Sequence, residues 1–185
     1  MREDPTSFEP WAPSGDGVPK LLRGLSVTEA AVQDVDACIA LSMLVSDGSG
    51  VDWSALFHRD NERSDRYLVV ARVDEKVIGY ARTARFEPDA EAPANAAPAG
   101  YYLIGLVVDP GWRRQGVATA LIQARLTWVA QRAYEAWYFA DISNRVSIGL
   151  HEQAGFATVT DDFWFPTVTD GGGTHVLGSV QLPAG

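Results

Sequence analysis

The segment Arg113-Arg114-Gln115-Gly116-Val117-Ala118 carries the clearest chemistry in the sequence. It follows an apolar run and opens a stretch of helical periodicity, so its backbone N–H groups stand at a helix start. Free donors and the helix dipole favour an anion there. Gly116 and Ala118 lack the bulk that would keep a phosphate off the backbone, while Arg113 and Arg114 bring positive charge. Together they form a pyrophosphate cradle. The same residues admit a plain structural reading as a turn glycine, a helix former and two solvated arginines. Gly-x-Gly-x-x-Gly is absent, and no Gly-Lys-Ser or Gly-Lys-Thr follows, so neither a dinucleotide fingerprint nor an ATP-binding loop is present. A different phosphate-bearing cofactor is required.

The elements that would position this cradle follow from periodicity. Tyr101-Tyr102-Leu103-Ile104-Gly105-Leu106-Val107-Val108 is nearly continuous in apolar residues, as a strand buried on both faces would be, and Asp109-Pro110 ends it. Val117, Leu121, Ala124 and Trp128 then recur at helical spacing, which predicts a helix from Gln115 to Arg132. Upstream, Leu21 to Val27 reads as a first strand, and Thr28 reads as the cap of a helix through Ala31, Val35, Cys38, Ile39 and Ser42. Ser46 to Asp65 suggests a short helix or lid anchored by Val51, Trp53, Leu56 and Phe57. Tyr67–Val73 and Val77–Ala84, joined by Asp74-Glu75-Lys76, predict an antiparallel hairpin, and residues 87–100 an exposed loop. Beyond the cradle helix, Trp137–Ala140 reads as a strand and Asn144–Gln153 as a short helix. Phe156–Phe165 and Thr174–Leu182 are two further strands, joined at Asp170-Gly171-Gly172-Gly173. The fold class is therefore α+β, with a mixed sheet.

Composition narrows the function classes. At 185 residues the chain fits one domain, with residues 21–185 as its body and the Pro-rich residues 1–20 as an N-terminal arm. A formal net charge of -9 argues against a nucleic-acid partner, whose phosphates are held by Lys and Arg. The lone Cys38 excludes an intrachain disulfide and a cysteine-based metal cluster, so no metal is expected. No apolar run reaches membrane-span length, and Met1-Arg2-Glu3-Asp4-Pro5 lacks the apolar core of a secretory signal. A cytoplasmic monomer or homodimer with no membrane partner is the expectation.

At this point the sequence resembles the GNAT superfamily of N-acetyltransferases. The core motif of that family is Arg or Gln, two residues, Gly, one residue, then Gly or Ala, matched here by Arg113, Gly116 and Ala118. Leu106 to Trp112 is similar to its strand-to-loop segment, and Asn144 to Phe156 is similar to its downstream segment ending in Leu-Tyr-Glu-Lys-x-Gly-Phe. The resemblance implies a central, mostly antiparallel sheet of about six to seven strands flanked by helices. It also implies a splayed strand pair that holds acetyl-CoA or another acyl-CoA. Backbone groups of Leu106, Val107 and Val108 would pair with the pantetheine arm, and Arg114, Gln115, Gly116, Val117, Ala118 and Thr119 would offer N–H groups to the pyrophosphate. Asn144 would bond the pantetheine amide, with Ser147 near it. Asn144 also suits a helix N-cap.

Acyl transfer to an amine needs a proton removed from the ammonium, an oxyanion stabilised and a thiolate protonated. Where the family often places a tyrosine acid, this chain has His151, which can donate when charged or simply pack beside the sulfur. The core strand has no carboxylate, so the base is open among a water chain, Tyr101, Tyr102 and Asp141, the last of which also suits a turn. His58 and His175 read as solvated or structural. Trp53, Phe57, Phe86, Tyr101, Tyr102, Trp112 and Trp164 are candidates for an acceptor pocket. The expected activity is acetylation of a primary amine on a small molecule. Protein N-terminal or lysine acylation, and a silent acyl-CoA-binding module, are the alternatives.

Overall fold

Seven strands form one sheet in the order β1-β2-β3-β4-β5-β7-β6 in a computed structural model that describes residues 22–45, 50–166, 168–169 and 172–183. The strands are β1 Leu25–Glu29, β2 Arg66–Val73, β3 Lys76–Phe86, β4 Gly100–Val108, β5 Glu135–Asp141, β6 Ala157–Thr160 and β7 His175–Gln181. The helices are α1 Val35–Val45, α2 Trp53–Glu62, α3 Val117–Ala130 and α4 Arg145–Gln153. Every pairing is antiparallel except β4 with β5. The fold is therefore α+β, with a mixed and mostly antiparallel sheet. The expected arm at residues 1–20 lies outside the described residues, as do Leu21 and, in the expected final turn, Asp170 and Gly171.

Both faces of the sheet are covered, which explains the unbroken apolar run in β4. On one face α1 and α2 bury Val35, Cys38, Leu41 and Phe57 against Leu68, Val70 and Tyr80. On the other, α3 sets Val117 and Leu121 against Val69, Ala71, Ile78 and Ala81, and Ile122 and Leu126 against Leu103 and Tyr138. Ile148 of α4 joins this second face. The α2 face also carries an aromatic cluster around Tyr102, in which Phe86, Phe165 and Phe139 lie 5.8, 5.1 and 6.3 Å away between ring centroids.

The opening unit differs from its sequence reading. Thr28 is a strand residue paired with Val70, and its hydroxyl accepts from Arg72 Nη1 at 2.7 Å. The helix starts only at Val35, after a 3₁₀ turn whose Ala31 N–H donates to Asp34 Oδ2 at 2.7 Å. Sheet pairing overrode a local capping signal. The hairpin is as expected, and its turn at Asp74 and Glu75 has φ of 50° and 46°, the left-handed pair that suits a tight connection. The expected strand Phe156–Phe165 stops at Thr160, where the hydroxyl accepts the Asp162 N–H at 3.0 Å and bends the chain away. Trp164 then meets the 87–99 loop: it donates its N–H to Asn95 O at 2.8 Å and accepts from Ala97 N at 2.9 Å. That loop is largely exposed, as expected, but is pinned along its second half.

Candidate active site

β4 and β5 are joined at one end and separate at the other. Parallel pairing is confined to Tyr101 with Ala136 and Tyr102 with Trp137. Beyond this point β4 continues to pair with β3, and β5 with β7, so the edges that face each other across the opening bond to no strand. An extended, amide-bearing chain can add to such an edge as a strand would. Gly105 sits in the opening at φ 57°, and it is the residue skipped where the β3–β4 register slips from Ala81/Leu106 to Arg82/Ile104. This bulge escaped the sequence reading, although a lone glycine inside an apolar strand was its signal. It re-aims Leu106, Val107 and Val108, the residues expected along the pantetheine.

At the far end of β4, Asp109 Oδ1 accepts the Gly111 N–H at 2.9 Å and turns the chain into the cradle. Arg114 and Gly116 take φ of 61° and 81°, and Gly116 caps α3 without a side-chain hydrogen bond. The first helical bond is Ala120 N–H to Gly116 C=O at 3.0 Å, which leaves the N–H groups of Val117, Ala118 and Thr119 with no intrahelical acceptor. Arg113 bends back to Val108 O at 3.3 Å, whereas Arg114 is exposed. Free helix-start donors, a left-handed glycine at the N-cap and an exposed guanidinium fit a pyrophosphate, and the unpaired β4 edge leading to them fits a pantetheine arm. Among the described residues no group of three or more His, Cys, Asp or Glu side chains is placed to hold a metal.

α4 begins beside the open end of β5. Asn144 caps it, its Oδ1 accepting from Ser147 N at 3.0 Å, so the side-chain N–H₂ stays available for a ligand. Ser147 C=O accepts at 2.8 Å from Nδ1 of His151 one turn later. A carbonyl only accepts, so Nδ1 carries the hydrogen, and Nε2 presents a lone pair that is buried without a partner. Burial, with Arg125 nearby, pushes the His151 pKa down to about 4. Its imidazole is therefore neutral at physiological pH, which does not suit it to protonate a thiolate there.

Asp141 ends β5, fully exposed, with Oδ1 accepting from the Ser143 hydroxyl at 2.6 Å and from Ser143 N–H at 2.7 Å. Those bonds hold its carboxyl below the usual range and make it a turn residue first. Tyr102 is buried and donates its hydroxyl to Pro98 O at 2.7 Å, and burial raises its pKa further. Neither is poised as a base. Of the expected acceptor aromatics, Phe86 and Tyr102 meet in the cluster on the α2 face, but Phe57 is a core residue against Tyr80 and Tyr101 faces Trp128 on the opposite side. His58 is an exposed residue of α2, and His175 bonds Thr174 at 3.0 Å.

Two buried arginine sites had no sequence signal, since isolated arginines in β-strands and helices look alike whether buried or solvated. Asp60 of α2, with a fully buried side chain, takes Arg66 Nη1 at 2.9 Å on one oxygen and Arg82 Nε on the other. Arg125 of α3 is also buried, donating Nη1 to Arg82 O at 3.2 Å, and burial pushes its pKa down to about 9.

Comparison with known proteins agrees with this geometry. Residues 39–156, more than half of the chain, match the pattern of the acetyltransferase (GNAT) family. The chain is 28% identical over 126 residues to an uncharacterized protein of Mycobacterium leprae (strain TN), covering 68% of this chain and 33% of that one. The chain thus spans about a third of that curated relative's length. Its fold is similar to the ribosomal-protein-S18-alanine N-acetyltransferase of Escherichia coli, with TM-score 0.62, 21% identity, and 87% and 96% of the two chains covered. It is likewise similar to an aminoglycoside antibiotic 6'-N-acetyltransferase of Acinetobacter baumannii, with TM-score 0.62, 21% identity and coverage of 79% and 99%. A parted β4–β5 pair, a glycine cradle after β4 and the match across α1 to Phe156 agree: this chain belongs to the acetyltransferase (GNAT) family, whose members are acyl-CoA-dependent N-acetyltransferases.

Proposed function

We propose that this chain transfers an acetyl group from acetyl-CoA to a primary amine of a small molecule in the cytoplasm. The observation that carries this reading is the short parallel pairing of Tyr101 and Tyr102 with β5, from which an unpaired β4 edge leads straight to the left-handed Gly116 turn at the start of α3. Leu106, Val107 and Val108 would hold the pantetheine by backbone groups, Asn144 by its amide N–H₂ with Ser147 close by. Residues 114–119, with Arg113 behind them, would hold the pyrophosphate. Acetyl-CoA, when bound, supplies an activated acyl group on a good thiolate leaving group.

The chain's own contribution is orientation and proton handling. Proximity of a held acyl group and a held amine is worth several orders of magnitude in rate. With His151 neutral, Tyr102 committed to Pro98 and Asp141 bonded to Ser143, solvent in the open end of the cleft is the route for the ammonium proton. The 87–99 loop, bonded to Trp164, borders an open surface pocket of about 570 Å³ lined by Asp89, Glu91, Pro93 and Trp164, which in this reading gives room to a small acceptor.

The test is an amine panel of small molecules, peptide N-termini and lysine peptides, assayed by free thiol release from acetyl-CoA. Turnover with small amines and not with peptides is expected. Preference for peptides would move the function to protein acetylation, and CoA binding without thiol release on any amine would make the chain a binding module.

A further inference from the structure

The Asp60 cluster holds two guanidiniums on one carboxylate, an excess positive charge inside a protein whose formal net charge is -9. Arg66 keeps a buried Nε with no partner, whereas Arg82 keeps the terminal edge of its guanidinium open. Its Nε is used on Asp60, and its side chain is only 11% exposed, yet neither terminal nitrogen donates to any protein atom among the described residues. A guanidinium taken so far from water gains strongly from an anion on its free edge.

The direction of that free edge is fixed by the β4 bulge. A side chain built on Gly105 would place its Cβ 3.5 Å from Arg82 Cδ and 3.6 Å from Nη1. Gly105 is itself exposed, so Nη1 borders the open cleft. This is the α2 face of the sheet, opposite α3 and its cradle, and it lies between the closed end at Tyr102 and the unpaired edge at Leu106. The pyrophosphate site is a strand end and a turn away, so a cofactor held there does not bring its phosphates to Arg82. What reaches this point from the α2 face is the acceptor.

We propose that Arg82, oriented by Asp60 beside the Gly105 bulge, receives a carboxylate carried by the acceptor, so that the small amine is amino-acid-like. This rests on the acyl-transfer reading given above. A planar carboxylate takes two parallel N–H donors from a guanidinium, so the contact fixes the direction of the acceptor as well as its charge. With the carboxylate on Arg82, the amine of the same molecule is turned toward the cleft beside Gly105.

Matched acceptors test this. Alanine, phenylalanine and glutamate are compared with their carboxamides by kcat/KM from thiol release, and by calorimetric binding to the protein with CoA present. The expected acid-to-amide ratio is about tenfold to hundredfold in the wild type, the range for a hydrogen bond to a charged group. It falls to near one in Arg82→Gln. Arg82→Lys, which can still pair with Asp60 but has no second edge to offer, should lose most of the ratio and serves if the glutamine variant does not fold. A wild-type ratio near one in both assays overturns the proposal. So does an equal loss for acids and amides, which would assign Arg82 to the acyl oxygen or the framework. If no amine releases thiol but acids still bind through Arg82, the anion site stands and the transferase reading falls.

Discussion

The imidazole of His151 lies flat on the ring of Tyr138, with centroids 4.1 Å apart and planes 2° from parallel. Phe156 meets both rings edge-on, at 5.2 Å from His151 and 5.0 Å from Tyr138. A histidine built into an aromatic stack resists charging, and stability must follow. Its pKa is about 4 when folded and returns toward 6.5 on unfolding. Between those values the unfolded chain takes up a proton that the folded chain refuses. Stability from this residue is therefore whole above pH 6.5 and is lost as pH falls toward 4, by at most about 3 kcal/mol. His151→Phe keeps the stack and should flatten this part of the profile. Urea midpoints measured across that window read it directly, and parallel curves for the two proteins would refute the assignment.

Gly116→Val should weaken acetyl-CoA binding by about tenfold or more, because a β-branched residue at φ 81° is strained and its methyls stand where the phosphates approach the N–H groups. Calorimetry on the folded variant is the measurement. Unchanged affinity would remove the cradle.

Asp60→Ala should destabilise the fold by about 3–5 kcal/mol, since it leaves the buried Arg82 and the partly buried Arg66 with no anion between them. Adding Arg82→Leu to that variant should recover part of the loss by removing one of the stranded charges. Chemical denaturation of the single and double variants decides it, and simple additivity would mean that the two residues do not act as a unit.

Cys38 should be silent to thiol reagents in the native protein. It is fully buried in α1, and burial, reinforced by Asp34, pushes its pKa up to about 12. Labelling should track unfolding as denaturant is added. Rapid modification of the native protein would contradict the packing of α1 on β2 and β3.

The sequence by itself determined the strand–cradle–helix unit. An apolar run, Asp109-Pro110 and a glycine before a helical repeat are local signals, and each residue acts within a few positions of itself. The β2–β3 hairpin and the Asn144 cap were legible for the same reason. The start of the first helix was misjudged because Thr28 suits a cap and a strand equally, and β2, some forty residues on, settles which. The catalytic end depended wholly on tertiary structure. Whether His151 charges depends on Tyr138, Phe156 and Arg125 from other elements, and whether Asp141 or Tyr102 is free depends on Ser143 and Pro98. Arg82 gained its meaning only when α2 brought Asp60 to it and the β4 bulge laid Gly105 beside it. Backbone conformation is written locally, but the charge state and partners of a side chain are set by what the fold places around it.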